Sequence, residues 1–152
     1  MEDQTSNCLK HENYKEQNIR LSRALKNRFY LEAIFIEYSM LEDRTESILR
    51  YTGNFPKGDD FVSINRKIHL IEKLIENKTA LIRHYFAAEL ISSLKEWKEK
   101  RNAMIHALIK RNITAEDLKN IALEGEFLAK KMCSLSTNYK RKLERAGKLV
   151  PQ

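Results

Sequence analysis

The sequence predicts an all-α protein, an antiparallel four-helix bundle with one or two additional short helices. Apolar residues recur every three or four positions over long stretches, which is the spacing of a helix face and not of a strand. The 152 residues include only 4 Gly and 2 Pro, too few turn residues for a β-sandwich. Most connections between the periodic stretches are short, and short connections join antiparallel neighbours.

The chain is expected to form an arm, one domain and a tail. Residues 1–17 are polar and aperiodic, which is typical of a loosely ordered arm. Residues 18–148 have the length of a single domain with one hydrophobic core, and residues 149–152 form a short tail. No apolar run is long enough to cross a bilayer and no secretory signal pattern is present, so we expect a cytoplasmic protein with no membrane contact.

A first long helix is expected over residues 19–51. Apolar residues cover much of its circumference, which indicates burial against more than one neighbour. Glu37 interrupts this apolar surface between Ile34 and Leu41. Two interpretations remain open for Glu37: an internal ion pair with Arg44 or another base, or a carboxylate that holds a catalytic base in place.

The longest break in the pattern, residues 52–60, contains two glycines and a proline. Asp59 or Asp60 is expected to cap a second helix. The apolar stripe of that helix comprises Phe61, Ile64, Ile68, Ile71 and Ile75. Thr79 is then expected to cap the third helix, with a break or a short separate turn around residues 83–86.

The third helix carries the polar residues on which the prediction of function depends. Its apolar stripe comprises Leu90, Leu94, Trp97, Met104 and Leu108, and the position between Trp97 and Met104 is Arg101. A cation on such a stripe is unfavourable unless it is paired or faces a polar cavity or a partner subunit. Asn102 and His106 are four residues apart and share one face, which the long Arg101 side chain can reach.

The last helix is predicted to begin with a capping-box-like pair, Thr114 and Asp117, and to run to about Ala146 before Gly147. Much of the formal net charge of +7 lies near its end, where seven basic residues accompany a single acid, Glu144. Two interpretations stay open: a surface for a polyanion such as nucleic acid, or a solvated helix end. The candidate nucleic-acid-binding residues are Lys130, Lys131, Lys140, Arg141, Lys142 and Arg145.

The segment from Arg101 to His106 has the form Arg-polar-x3-His, which resembles the signature of the HEPN superfamily of small all-helical proteins. The context is similar as well, because a long first helix carries an inward acid and the motif lies late in the helix before the last one. The resemblance implies a HEPN-like bundle that forms a homodimer, with motifs from both subunits meeting in one cleft.

Active members of that superfamily are metal-independent endoribonucleases, often toxins or defence effectors. The resemblance therefore implies RNA phosphodiester cleavage without a metal or other cofactor. His106 would be the general acid and base, Arg101 the clamp on the phosphate, and Asn102 a positioning hydrogen-bond partner. An antitoxin or a nucleotidyltransferase is the class of protein partner that the resemblance implies.

Two other interpretations remain open. Some toxin members carry a tyrosine two residues after the histidine, where this chain has Leu108, and several members lack nuclease activity. One alternative is therefore a non-catalytic helical module that binds nucleic acid, a nucleotide or a partner protein. The other is a purely structural bundle whose basic tail confers solubility.

Overall fold

The computed structural model describes residues 2–58, 61–77, 81–110 and 112–150, with side chains described from residue 8 onward. These residues form helices and no strands, which confirms the all-α class. The elements are α1 (Glu2–Lys26), α2 (Tyr30–Tyr51), α3 (Ile64–Glu76), a short 3₁₀ helix (Leu81–His84), α4 (Ala88–Ala107) and α5 (Ala115–Arg145). None of the described helices combines the length and apolar character that a membrane span requires.

The single helix expected over residues 19–51 is divided between α1 and α2. Arg28 has a left-handed φ of 61°, and the Phe29 amide donates to the Ala24 carbonyl at 2.8 Å. The Arg28 amide donates to the Leu25 carbonyl at 3.1 Å, which completes a Schellman-type helix end. Glycine normally occupies the left-handed position, so an arginine there gives no sequence signal for the turn.

Residues 2–17 belong to helix α1 and do not form the loosely ordered arm that we expected. Polar contacts attach this part of α1 to α2: the Tyr14 hydroxyl donates to Asp43 Oδ2 at 2.7 Å, and Lys10 Nζ lies 2.8 Å from Asp43 Oδ1. Further along α1, Leu21 and Ala24 are buried. The early part of α1 lacks an apolar stripe because its attachment is polar, which explains why its pattern looked aperiodic.

Helices α2 and α5 pack closely and run in the same direction. Glu37 on α2 faces Gly125 on α5, and near the far end of both helices the Val150 amide donates to the Tyr51 carbonyl at 3.1 Å. Helix α4 runs opposite to α5: Phe86, just before α4, packs against the Tyr139 ring with centroids 5.7 Å apart, whereas Lys100, further along α4, contacts Glu124 at 2.9 Å. The antiparallel order expected from short connections therefore does not hold for α2 and α5. Three connections between main helices separate α2 from α5, and three reversals would make them antiparallel, so at least one of these connections does not reverse the chain.

The caps and stripes of the later helices agree in part with expectation. The Thr114 hydroxyl accepts from the Asp117 amide at 3.1 Å, and Asp117 Oδ2 accepts from the Thr114 amide at 3.0 Å, as the capping box predicts. Ser63 caps α3, so Phe61 precedes that helix and is exposed. The predicted caps Asp59, Asp60 and Thr79 lie outside the described residues. The stripe residues buried in α3 are Ile64, Ile68, Ile71 and Ile75.

Candidate functional site

Arg101 lies at the boundary between α4 and α2. Its side chain is half-buried, and its guanidinium carbon lies 4.1 Å from the ring centroid of Tyr38 and 5.6 Å from that of Phe35. Tyr38 and Phe35 thus take the place of an ion-pair partner, because aromatic ring faces attract cations. The sequence predicted a pairing group, a polar cavity or a partner subunit at this position and did not indicate two aromatic rings of α2.

Arg101 also contacts the next residue of the motif. Its Nη1 donates to Asn102 Oδ1 at 3.1 Å, which bends the guanidinium toward the face that carries Asn102. Its Nε is buried and has no hydrogen-bond partner among the described residues. Within the described ranges no carboxylate pairs with Arg101, so its positive charge is available to an anion from outside the chain.

His106 lies one helical turn beyond Asn102, in the last turn of α4. The side chain is exposed, and it makes no hydrogen bond with any residue that the structure describes. Residues four apart on a helix have neighbouring side chains, so Asn102 lies between Arg101 and His106. The structure joins Arg101 and Asn102 by a hydrogen bond, whereas no hydrogen bond joins His106 to either of them among the described residues.

Glu37 is separate from this group. Its side chain is fully buried, and neither carboxylate oxygen has a hydrogen-bond partner in the described part of the chain. It packs against Gly125 and Trp97, and it makes no hydrogen bond with Arg101 or His106. Burial, reinforced by the charge of Glu126, raises the pKa of Glu37 to about 9, so this carboxyl is protonated at neutral pH.

Neither interpretation of Glu37 fits this environment. Arg44, the base suggested as its ion-pair partner, instead pairs with Asp43. The Arg44 Nε also donates to the Tyr14 hydroxyl at 2.8 Å. A neutral carboxyl that is sealed from solvent also cannot position His106, which is exposed. Glu37 is therefore a core residue. Both polar interpretations were wrong because the sequence alone does not show that α5 covers Glu37.

Sequence reasoning missed a charged cluster beside Tyr38. Lys67 on α3 is nearly fully buried, with its Nζ 2.8 Å from Glu46 Oε2 and 3.6 Å from Glu42 Oε1. Lys98, one turn before Arg101 and Asn102 on α4, is equally buried. It binds Glu99 on its own helix at 2.7 Å and donates to Asn65 Oδ1 on α3. These contacts join three helices, so only the tertiary arrangement reveals them. They fix the part of α4 that carries Arg101.

The six basic residues singled out on α5 have different surroundings. Lys130 pairs with Glu126 on its own helix, Lys131 is exposed, and Lys140 Nζ lies 5.7 Å from the ring centroid of Tyr51. The remaining three converge on a cavity of about 310 Å³ lined by Arg141, Lys142 and Arg145 together with Tyr85 and Asn138. Those three cations have no ion-pair partner among the described residues.

Comparison with known proteins adds no assignment. No family model, curated protein or solved structure matches this chain.

Proposed function

We propose that this protein is a metal-independent endoribonuclease of the HEPN type, with Arg101, Asn102 and His106 at the reaction site. One observation carries the proposal. The motif lies at the surface, with the Arg101 guanidinium held by Tyr38 and Asn102 but unmatched by any carboxylate of the described chain, and with an exposed His106 beside it.

The chemistry follows from these residue types. Cleavage of RNA without a metal requires a group that moves protons to and from the 2′-hydroxyl and the leaving oxygen, and an imidazole can serve near neutral pH. Charge that develops on the phosphate requires a fixed cation with two parallel donors, which a guanidinium provides. His106 is the proton-transfer group, Arg101 the phosphate clamp, and Asn102 the residue that orients Arg101.

A homodimer is part of the proposal. In one chain no hydrogen bond joins His106 to Arg101 among the described residues. A second copy of α4 across a two-fold axis would bring another Arg101 and His106 to the same cleft. Apolar side chains that a partner subunit could cover flank the motif, since Phe35 is 56% exposed and Leu108 is 40% exposed. Toxin or defence activity, with an antitoxin or nucleotidyltransferase partner, belongs to the same proposal and rests on the resemblance alone.

The proposal is tested by incubating mixed single-stranded RNA with the protein in excess EDTA. We expect cleavage by the unmodified protein and a loss of about a hundredfold or more in His106→Ala and in Arg101→Ala. A positioned acid or base contributes about that much, and so does a group that stabilises charge in the transition state. Circular dichroism and thermal melting are the controls for folding. Cleavage that survives in both folded variants would contradict the roles, and a strictly monomeric protein at micromolar concentration would contradict the two-subunit site.

A second candidate function is nucleic-acid binding without catalysis, which the cavity formed by Arg141, Lys142 and Arg145 favours. Its three unpaired cations and the adjoining Tyr85 ring suit a phosphate backbone and a base. The variant that combines Arg141→Gln, Lys142→Gln and Arg145→Gln should bind RNA more weakly, and its affinity should depend less steeply on salt concentration. Binding that persists in the variant with unchanged salt dependence would contradict this candidate.

A further inference from the structure

A second basic cavity lies between α1, α2 and α5, at a place that includes no residue of the Arg101–His106 motif. It has a volume of about 450 Å³. Basic side chains from all three helices line it, together with two tyrosine rings: Lys10, His11, Arg44, Lys140, Tyr14 and Tyr51. The cavity is larger than a phosphate ion needs, and it combines cations with aromatic surface.

Arg44 is held rigidly in the wall of this cavity. Its side chain is only 11% exposed, its Nε donates to the Tyr14 hydroxyl at 2.8 Å, and its Nη2 binds Asp43. The guanidinium carbon also lies 4.4 Å from the Tyr14 ring centroid. Its Nη1 has no hydrogen-bond partner among the described residues. A guanidinium that is already ordered loses little further entropy when it binds an anion.

Asp43 balances the cations of this cavity only in part. Asp43, which binds both Lys10 and Arg44, lines the neighbouring groove between α1 and α2 and not this cavity. Lys140 has no ion-pair partner in the described part of the chain. Burial raises the pKa of the Cys133 thiol, which also lines the cavity, so that thiol is neutral at physiological pH and adds no negative charge.

We propose that this cavity binds a small phosphomonoester, with Arg44 and Lys140 on the phosphate and the remaining volume occupied by the organic group. The Nη1 group of Arg44 and the second hydrogen of its Nη2 form a planar pair of donors that suits two phosphate oxygens, and Lys140 supplies a point charge from the facing helix. Lys10 adds a further cation at the rim. The site is independent of RNA cleavage, because none of these residues contacts Arg101, Asn102 or His106.

The test is isothermal titration of the full chain with AMP, inorganic phosphate and adenosine at constant ionic strength. We expect AMP and phosphate to bind and adenosine not to bind. Lys140→Gln should weaken AMP binding about tenfold, because a hydrogen bond between charged groups is lost. The matched control is Lys73→Gln, which removes the same charge from an exposed position on α3 and should leave the affinity unchanged.

A second variant distinguishes recognition by planar donors from attraction by positive charge alone. Arg44→Lys retains the positive charge but removes the planar fork, so it should weaken AMP binding about tenfold while circular dichroism remains that of a folded protein. The inference is overturned if neither AMP nor phosphate binds, if adenosine binds as tightly as AMP, or if Lys140→Gln and Lys73→Gln have equal affinities.

Discussion

Glu37 and Tyr38 are consecutive residues of α2, yet they belong to two contrasting regions of the molecule. Glu37 lies in a closed region, sealed by Trp97 of α4 and Gly125 of α5, with no hydrogen-bond partner for its carboxylate among the described residues. Tyr38 lies in an open region, where its ring supports Arg101 at 4.1 Å beside solvent. Two consecutive residues of α2 thus face different surroundings: Glu37 faces the core, and Tyr38 faces Arg101 of the proposed reaction site.

The contrast shows how this fold accommodates two ionisable groups that interrupt apolar stripes. In the closed region the group loses its charge, because burial raises the pKa of Glu37 to about 9. In the open region the charge is retained, because aromatic rings, an amide and solvent replace the missing counter-ion. An inward polar residue is therefore a functional candidate only where solvent or a partner can reach it.

The largest expected effect comes from filling the closed region. A methyl carbon added at Gly125 would lie 2.6 Å from Trp97 Cζ2 and closer still to Glu37 Oε2. Gly125→Ala should therefore lower the free energy of unfolding by about 3 kcal/mol, as overpacked cores do. Urea unfolding followed by circular dichroism measures this loss.

The matched control combines Gly125→Ala with Glu37→Ala, which removes the carboxylate that the new methyl group meets. The double variant should lose less stability than the sum of the two single variants, because the residues are in contact. Simple additivity would mean that the two side chains do not share this space.

The next effect is the pH dependence that Glu37 imposes on stability. Its pKa is about 9 in the folded protein and has an ordinary value of 4.5, so the folded state binds the extra proton between these values. Stability is therefore complete below about pH 4.5 and declines as pH rises toward 9, by about 3 kcal/mol at pH 7. Glu37→Gln should remove this decline, which thermal melting across pH 4 to 9 would detect.

That prediction also separates the two regions functionally. Because Glu37 does not touch the motif, Glu37→Gln should retain RNA cleavage while its melting temperature becomes less dependent on pH. A variant that lost cleavage without losing stability would mean that Glu37 acts on the reaction, contrary to its burial.

A smaller effect is expected from the ring that supports Arg101. Tyr38→Leu removes a cation–π contact worth about 1 kcal/mol, so RNA cleavage should fall about fivefold to tenfold while the fold is retained. Tyr38→Phe preserves the ring and is the control, with cleavage expected near that of the unmodified protein. Equal losses in both variants would assign the effect to the hydroxyl.

The smallest effect lies outside both regions, at the turn into α2. Arg28→Gly should raise the free energy of unfolding by up to about 1 kcal/mol, because glycine adopts the left-handed φ of 61° without a steric penalty. Differential scanning calorimetry would measure the gain. RNA cleavage should be unchanged. If the variant is less stable than the unmodified protein, the Arg28 side chain stabilises the fold by more than the left-handed backbone conformation destabilises it.

The parts of the fold that local chemistry determines were predictable from the sequence. The Thr114–Asp117 capping box and the isoleucine stripe of α3 need only neighbouring residues, and both are present. The turn at Arg28 was missed because its left-handed residue is not glycine. The shared direction of α2 and α5 was missed because it depends on contacts between residues about ninety positions apart, such as Glu37 and Gly125.

The candidate site was predictable to a similar extent. The anomaly of Arg101 on an apolar stripe is visible in the sequence, and the structure accounts for it with Tyr38 and Asn102. The buried Lys98 and Lys67 gave no signal, because charged residues are common on exposed helix faces and only the packing of three helices buries these two. The closed environment of Glu37 likewise requires knowledge of which residue on α5 faces it.

The central claim, metal-independent RNA cleavage at the open region, is tested most directly with one oligonucleotide prepared as RNA and as DNA. Both are incubated with the protein in excess EDTA, and the products are separated by size. We predict that the RNA is cut and the DNA remains intact, because the proposed reaction uses the 2′-hydroxyl that DNA lacks. Cleavage of both the RNA and the DNA oligonucleotide, or of neither, would contradict the proposed reaction.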